Sequence, residues 1–193
     1  MKIILATTSP YRIEMMKNTG IPFEAKSSNV DEYFDDRPKK PQELVKLLSK
    51  LKAQAVAKDC VDSLVIGMDS VTYFQKTILE KPKSYDEAFK RLKAFSGKTH
   101  EFYTGITVIN TNTHKTYQEC VQSKATFRKI TDSEIKKYLD EDPRHNTYAL
   151  GYDPIKHISS SFIKEIIGDP FNLMQGIPLS RIVEIIYKMT GEK

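Results

Sequence analysis

The chain opens with an apolar run, Ile3, Ile4, Leu5 and Ala6, that stops at Thr7, Thr8 and Ser9 and restarts at Pro10, Tyr11 and Arg12. Hydroxyls followed at once by proline signal a strand, a tight turn and a helix. Ser9 suits the N-cap and Pro10 the first helical position, where a missing N–H costs nothing. Such a junction is also built to hold an anion. The unpaired N–H groups of the first turn, the positive end of the helix dipole, the hydroxyls and Arg12 converge within one phosphate's reach. The same residues equally suit an ordinary capped helix with a solvated Arg12.

Downstream, helical and strand patterns alternate. The first helix covers about residues 10 to 19 and ends at Gly20, and Phe23 to Ser28 reads as a short strand leading to Asp31 and Glu32. Leu44, Leu47, Leu48, Leu51 and Ala55 recur at helical spacing, so Gln42 to Lys58 is an amphipathic helix with Lys52 near its polar boundary. Leu64 to Met68 has the continuous apolar character of a buried central strand that ends by delivering Asp69 and Ser70. Val71 to Phe74 and Thr77 to Leu79 flank Gln75 and Lys76 as a hairpin.

Ser84 with Glu87, and Thr131 with Glu134, have the spacing of capping boxes that open two further helices. Between them, His100 to Ile109 and Lys115 to Arg128 alternate as an antiparallel strand pair. From Arg144 to Ser161 periodicity is lost, which marks a functional or mobile loop. Phe162 to Ile167 follows as a strand, Gly168 to Pro178 as a turn, and Leu179 to Met189 as a final helix. No repeat or linker divides the 193 residues into independent domains.

The 30 Lys and Arg residues exceed the 25 Asp and Glu by five, without a run of like charges long enough to suggest a nucleic-acid surface. A mild positive field instead suits small anions. The two cysteines, Cys60 and Cys120, are 60 positions apart with no metal-ligand spacing. No stretch has the character of a signal peptide, and none approaches the roughly 18 apolar residues of a membrane span. A cytoplasmic protein is expected, with no membrane partner.

Sorted by position at strand ends and helix starts, the polar residues able to do chemistry are Ser9, Arg12, Glu32, Lys52, Asp69, Ser70, Lys81, Thr104 and Lys156. In an open α/β sheet, ligands sit beyond the carboxyl ends of the strands, which places Ser9 and Asp69 together if their strands are neighbours. Phosphates would rest on Ser9, Arg12, Lys52 and Lys81. Glu32 and Asp69 remain as acids, able to hold Mg²⁺ or to orient and deprotonate a water for in-line attack at phosphorus. An acid after an apolar strand is also a common helix cap or buried ion-pair member. The glycines form neither GxGxxG nor a P-loop.

The chain resembles the Maf family of nucleoside triphosphate pyrophosphatases over nearly its full length. The opening LATTSPYR is similar to LASxSPRR, Asp31-Glu32 to the family's DE, and Gly67-Met68-Asp69-Ser70-Val71 to ADTxV. Glu80-Lys81-Pro82 resembles GKP, Phe95 to Gly105 resembles LSGxxHxVxTG, and Gly176-Ile177-Pro178-Leu179 resembles GLPL. The resemblance implies one Maf-like domain over residues 1–193. Its α/β fold would be related to the inosine triphosphate pyrophosphatases, with a mixed sheet, flanking helices and two lobes around a central cleft, usually as a homodimer. It also implies hydrolysis of a nucleoside triphosphate to monophosphate and pyrophosphate with Mg²⁺ or Mn²⁺. Asp69 would be the proton acceptor, Glu32 and Asp69 the metal ligands, and Ser9, Arg12, Lys52 and Lys81 the phosphate-binding residues.

Base specificity falls to Tyr11, Ser70 and Lys156. Tyr11 replaces the first arginine of the pyrimidine-nucleotide members and matches the aromatic of members acting on 7-methyl-GTP, so a 7-methyl-GTP-like substrate is favoured. Ser70 matches neither subgroup, nor does Lys156. The stretch Tyr148 to Ser161 departs from the family's AGAYGIQG. The alternatives are a dTTP/UTP pyrophosphatase and a nucleotide-binding regulator of cell division with reduced turnover.

Overall fold

A computed structural model describes residues 1–191. The elements run β1 (Lys2–Ala6), α1 (Pro10–Lys17), β2 (Glu24–Lys26), α2 (Pro41–Ala57), β3 (Ser63–Phe74), β4 (Thr77–Leu79) and α3 (Tyr85–Phe95). They continue as β5 (Thr99–Asn110), β6 (Thr116–Phe127), α4 (Asp132–Glu141), a 3₁₀ turn at Ile158–Ser161, β7 (Ile163–Ile167), α5 (Pro170–Gln175) and α6 (Leu179–Thr190). The strands form one mixed sheet in the order β2-β1-β3-β5-β6-β7, with β4 paired to β3. This is an α/β fold with flanking helices. No helix among the described residues is long and apolar enough to cross a membrane.

The chain separates into two compact units. The first comprises Met1–Ser70, Tyr103–Val121 and Gln175–Lys193. Here β1 pairs in parallel with both β2 and β3, and its side chains alternate between two apolar layers as the period of a strand requires. Ile3 and Leu5 join Met16, Leu64, Ile66 and Met68 with Ile182, Ile185 and Ile186 of α6. Ile4 and Ala6 join Val65, Val56 and Cys60. Both faces are therefore covered, which is why these strands read as unbroken apolar runs.

Helix α2 lies directly against the backbone of β3 and β5. A Cβ at Gly67 would stand 2.2 Å from the Ser49 carbonyl oxygen, and one at Gly105 would stand 2.0 Å from that of Val45. Only glycine permits that approach. Between them, the Ser49 hydroxyl hydrogen-bonds the Lys46 carbonyl and the Thr107 hydroxyl across 2.9 Å each.

The second unit comprises Val71–Phe102 and Gln122–Met174. Its core is aromatic, with Phe74, Phe95, Phe102, Phe127, Tyr138, Tyr152 and Phe162 packed among Leu92, Ile135, Leu139, Leu150 and Leu173. His100 is stacked on Phe95 with 4.3 Å between centroids and 4° between planes. Helix α4 begins with the expected capping box, Thr131 and Glu134 exchanging side-chain and backbone hydrogen bonds. At α3 the box is half formed: Ser84 accepts from the Glu87 N–H, but the Glu87 carboxylate turns to the Lys83 N–H and to Arg91.

Three sequence expectations change. The strand read as ending at Met68 and the hairpin arm read as Val71 to Phe74 are one twelve-residue β3, unbroken at Asp69 and Ser70, and its end pairs with β4 as expected. The turn expected between Gly168 and Pro178 contains the short helix α5, started by Pro170. The segment expected as a functional or mobile loop is tied into the second unit by hydrogen bonds. The buried Asp153 accepts from Tyr148 Oη at 3.1 Å and from the Ile155 and Lys156 N–H groups at 2.8 and 3.0 Å. Its own N–H donates to Tyr138 Oη at 2.8 Å, so side chain-to-backbone bonds replace hydrophobic periodicity there.

Candidate active site

The site grows from the register of β1 on β3, in which Ala6 lies opposite Gly67. At that point β1 ends and the chain turns into α1, while β3 continues through Met68, Asp69 and Ser70. Asp69 thus stands two residues beyond the last residue paired with β1. The turn is held by the Thr7 hydroxyl, which accepts from the Ser9 N–H at 3.1 Å, and by Ser9 as N-cap, whose Oγ accepts from the Arg12 N–H at 3.5 Å. Pro10 occupies the first turn as expected.

Arg12 closes this corner. Its Nε donates to the Gly176 carbonyl at 2.8 Å, Nη1 to the Met68 carbonyl at 2.8 Å and Nη2 to Ser70 Oγ at 2.7 Å. The guanidinium therefore grips the chain immediately before and after Asp69. Ser70 Oγ also shares a hydrogen with Thr104 Oγ1 across 2.8 Å. Burial lowers the pKa of Arg12, while the charges of Asp69 and Glu32 oppose that shift. At most two of the five guanidinium N–H groups remain for a phosphate.

On the other side of Asp69 lies Lys52, from the fourth turn of α2. Its Nζ is 2.6 Å from Asp69 Oδ1 and 2.6 Å from Glu32 Oε1. The two carboxylates are thus no more than twice that distance apart, joined by one ammonium. The Lys52 side chain is 12% exposed, that of Asp69 8%, and that of Glu32 41%, so the pair opens to water on the Glu32 side. Burial raises the Asp69 pKa above the ordinary carboxylate value. Lys52 and Arg12 pull it back, and Glu32 adds to the rise. A carboxylate held in this way is poised to accept a proton.

The first unit thus brings Ser9, Arg12, Glu32, Lys52, Asp69 and Ser70 together. Tyr11 is half-buried on the first turn of α1. Lys81 and Lys156 belong to the second unit, where both are exposed. The Lys156 N–H donates to Asp153 Oδ1 at 3.0 Å and its carbonyl accepts from Ser159 Oγ at 2.9 Å. Sequence reasoning missed the carbonyls of Met68 and Gly176 as partners of Arg12. No residue type announces a backbone acceptor.

Among the described residues, no three His, Cys, Asp or Glu side chains form a ready metal cage. The donor set is two carboxylates facing a single cation. That set fits Mg²⁺ or Mn²⁺, which take one or two carboxylates and complete their shell with substrate oxygens and water.

The family model for Maf-like proteins matches residues 2–189. The chain belongs to the Maf family. Relatives of this Maf protein include the dTTP/UTP pyrophosphatase of Thermoanaerobacter sp. (strain X514), 36% identical over 96% of this chain and 95% of that one. The dTTP/UTP pyrophosphatase of Thermosipho melanesiensis is 35% identical, covering 97% of each chain. Among solved structures, the Staphylococcus aureus Ham1 protein is similar to this Maf chain over the full length of both, at 16% identity and a TM-score of 0.55. That likeness concerns the fold.

Proposed function

We propose that this Maf protein hydrolyses a nucleoside triphosphate to the monophosphate and pyrophosphate, with dTTP and UTP as its preferred substrates. The observation that carries the reading is Asp69. It is a buried carboxylate of raised pKa, in a corner that also holds a second acid, a flexible ammonium and a capped helix N-terminus. Those are the parts that water attack on a phosphoanhydride requires.

In this reading Asp69 takes a proton from water as the water oxygen bonds the α-phosphorus. The bond from that phosphorus to the α,β-bridging oxygen breaks, and the electron pair leaves with pyrophosphate. Lys52 balances charge on the phosphates, and the first turn of α1 receives a phosphate oxygen at Ser9 and its neighbouring N–H groups. Arg12 fixes the backbone on which Asp69 rides, through residues 68 and 70. The family resemblance adds Lys81 as a candidate phosphate ligand in this reading. A Mg²⁺ or Mn²⁺ ion on Glu32 and Asp69 would supply charge neutralisation of the phosphate oxygens.

What supports dTTP and UTP is that relatives named dTTP/UTP pyrophosphatase match this chain over 95% or more of their own length. Tyr11 favours a second reading, a 7-methyl-GTP-like substrate, because an aromatic ring at the phosphate-binding turn can stack on a methylated purine. Pyrophosphate release with Mg²⁺ across UTP, dTTP, 7-methyl-GTP and the common purine triphosphates tests both. At least tenfold higher kcat/KM on UTP or dTTP supports the first, and the reverse order supports the second. No release from any member of the panel overturns hydrolysis itself.

A further inference from the structure

We infer that Lys52 is a tethered counter-ion that keeps free divalent cations off the Glu32–Asp69 pair until substrate phosphates draw the ammonium away. The inference rests on reading those two carboxylates as the cation-binding acids of the proposed reaction.

Three observations carry it. The first is position: Nζ lies 2.6 Å from one oxygen of each carboxylate, at the point where an ion shared by both would sit. Mg²⁺ needs oxygens at about 2.0–2.1 Å and tolerates no ammonium among them. Lysine and metal are therefore alternatives, never joint occupants.

The second is charge. Glu32 and Asp69 are matched by Lys52 and Arg12, so the corner carries no excess negative charge to attract a bare divalent ion from water. Removing Lys52 leaves one uncompensated carboxylate close to its partner, and a divalent cation relieves that repulsion.

The third is the contrast between the two cations. Arg12 is locked by the Met68 and Gly176 carbonyls and by Ser70, whereas Lys52 ends a flexible four-carbon arm held, among the described residues, by the two carboxylates. Lys52 is the cation that can move. Phosphate oxygens arriving with a metal offer the ammonium a new partner of higher charge, while the metal takes over the acids. The corner thus admits metal and nucleotide together and resists metal alone.

The experiment is a titration of the full chain with Mn²⁺ alone, with free Mn²⁺ followed by its electron paramagnetic resonance signal. K52M is expected to bind one Mn²⁺ at least tenfold more tightly than the parent, and the double variant K52M/E32Q to lose that gain. If K52M does not fold, K52Q makes the same measurement. A gain below tenfold, or a gain that survives in the double variant, overturns the inference. Pyrophosphate release plays no part in the readout. A chain that hydrolysed no nucleotide would sink the proposed function and leave this result intact, and the converse holds equally.

Discussion

The two units satisfy their buried acids differently. The first keeps charges inside: Asp69, Lys52 and Arg12 are all drawn from water, and burial shifts Asp69 up and Arg12 down. The second also buries charged side chains, Arg91, Asp142 and Asp153, but meets its carboxylates with hydroxyl and backbone donors, as when Tyr138 Oη donates to Asp142 at 2.9 Å and accepts from the Asp153 N–H. A desolvated charge costs stability unless its partners return what water gave, and buried ion pairs commonly fall short of that return. A buried hydroxyl with both bonds made costs far less. In the proposed reaction the charges of the first unit act on phosphate and water, whereas the polar bonds of the second fix the path of its chain.

The largest expected effect breaks activity without breaking the fold. Asp69→Asn should cut pyrophosphate release roughly a thousandfold, the range that a lost general base produces. Its stability should be unchanged or higher. The raised pKa of Asp69 means that ionisation opposes folding above the unfolded-state value, and the amide removes that opposition. Activity assays paired with urea melts check this, and a variant that lost stability and activity together would place Asp69 in the scaffold instead.

Next in size is the glycine contact under α2. Gly105→Ala puts a methyl group 2.0 Å from the Val45 carbonyl oxygen and 2.8 Å from the Lys46 nitrogen. Neither is a side chain that can rotate away, so the helix must lift from the sheet. The cost should reach about 3 kcal/mol or more, the upper end for overpacking. Because Lys52 rides on the same helix, activity should fall along with the melting temperature. A folded G105A with unchanged kcat would show that α2 has slack.

In the second unit, burial holds His100 neutral, with its pKa pushed down to about 3. Its Nε2 faces Tyr152 Oη at 3.1 Å, while Nδ1 is buried without a partner. The unfolded chain takes up a proton near pH 6.5 and the folded chain near 3. Stability is therefore complete above about pH 6.5 and declines by about 1.4 kcal/mol per pH unit as pH falls toward 3. His100→Phe should be less stable at pH 7, through the lost hydrogen bond to Tyr152, yet flatter across that window. Urea unfolding at four or five pH values would show it, and parallel slopes would refute it.

How far the sequence announced all this differs between the units for a physical reason. Caps are local, so Ser9 with Pro10 and Thr131 with Glu134 were legible from spacing alone. Helix α5 was not, because Gly168, Pro170 and Pro178 are all turn formers and only the structure shows Pro170 acting as a helix starter. The continuation of β3 through Asp69 and Ser70 was hidden as well, because two polar residues after an apolar run read as a strand end. In the site, the acids and cations were visible as residue types at element ends. What Arg12 does there was not, since two of its three partners are carbonyls. In the stretch from Arg144 to Ser161, read as a functional or mobile loop, the order was not legible, because Asp153 organises it through bonds that leave no periodic trace.

The smallest effect sharpens the same contrast at the surface. Glu134 accepts from Arg128 at 2.6 Å and from the Thr131 N–H at 2.8 Å, which together pull its pKa down to about 2. A carboxylate lowered in the folded state contributes stability above its unfolded value, near 4.5, and loses it as pH falls toward 2. The ion pair with Arg128 is partly solvated, so water screens most of its share and the cap supplies the remainder. Glu134→Gln retains an acceptor for the capping box and should cost about 1 kcal/mol at pH 7, the size of a weakened cap. At about pH 2 and below, parent and variant should converge. That convergence sets Glu134 apart from Asp69: both are paired carboxylates, but the partly solvated one stabilises through its charge, whereas ionisation of the buried one opposes folding.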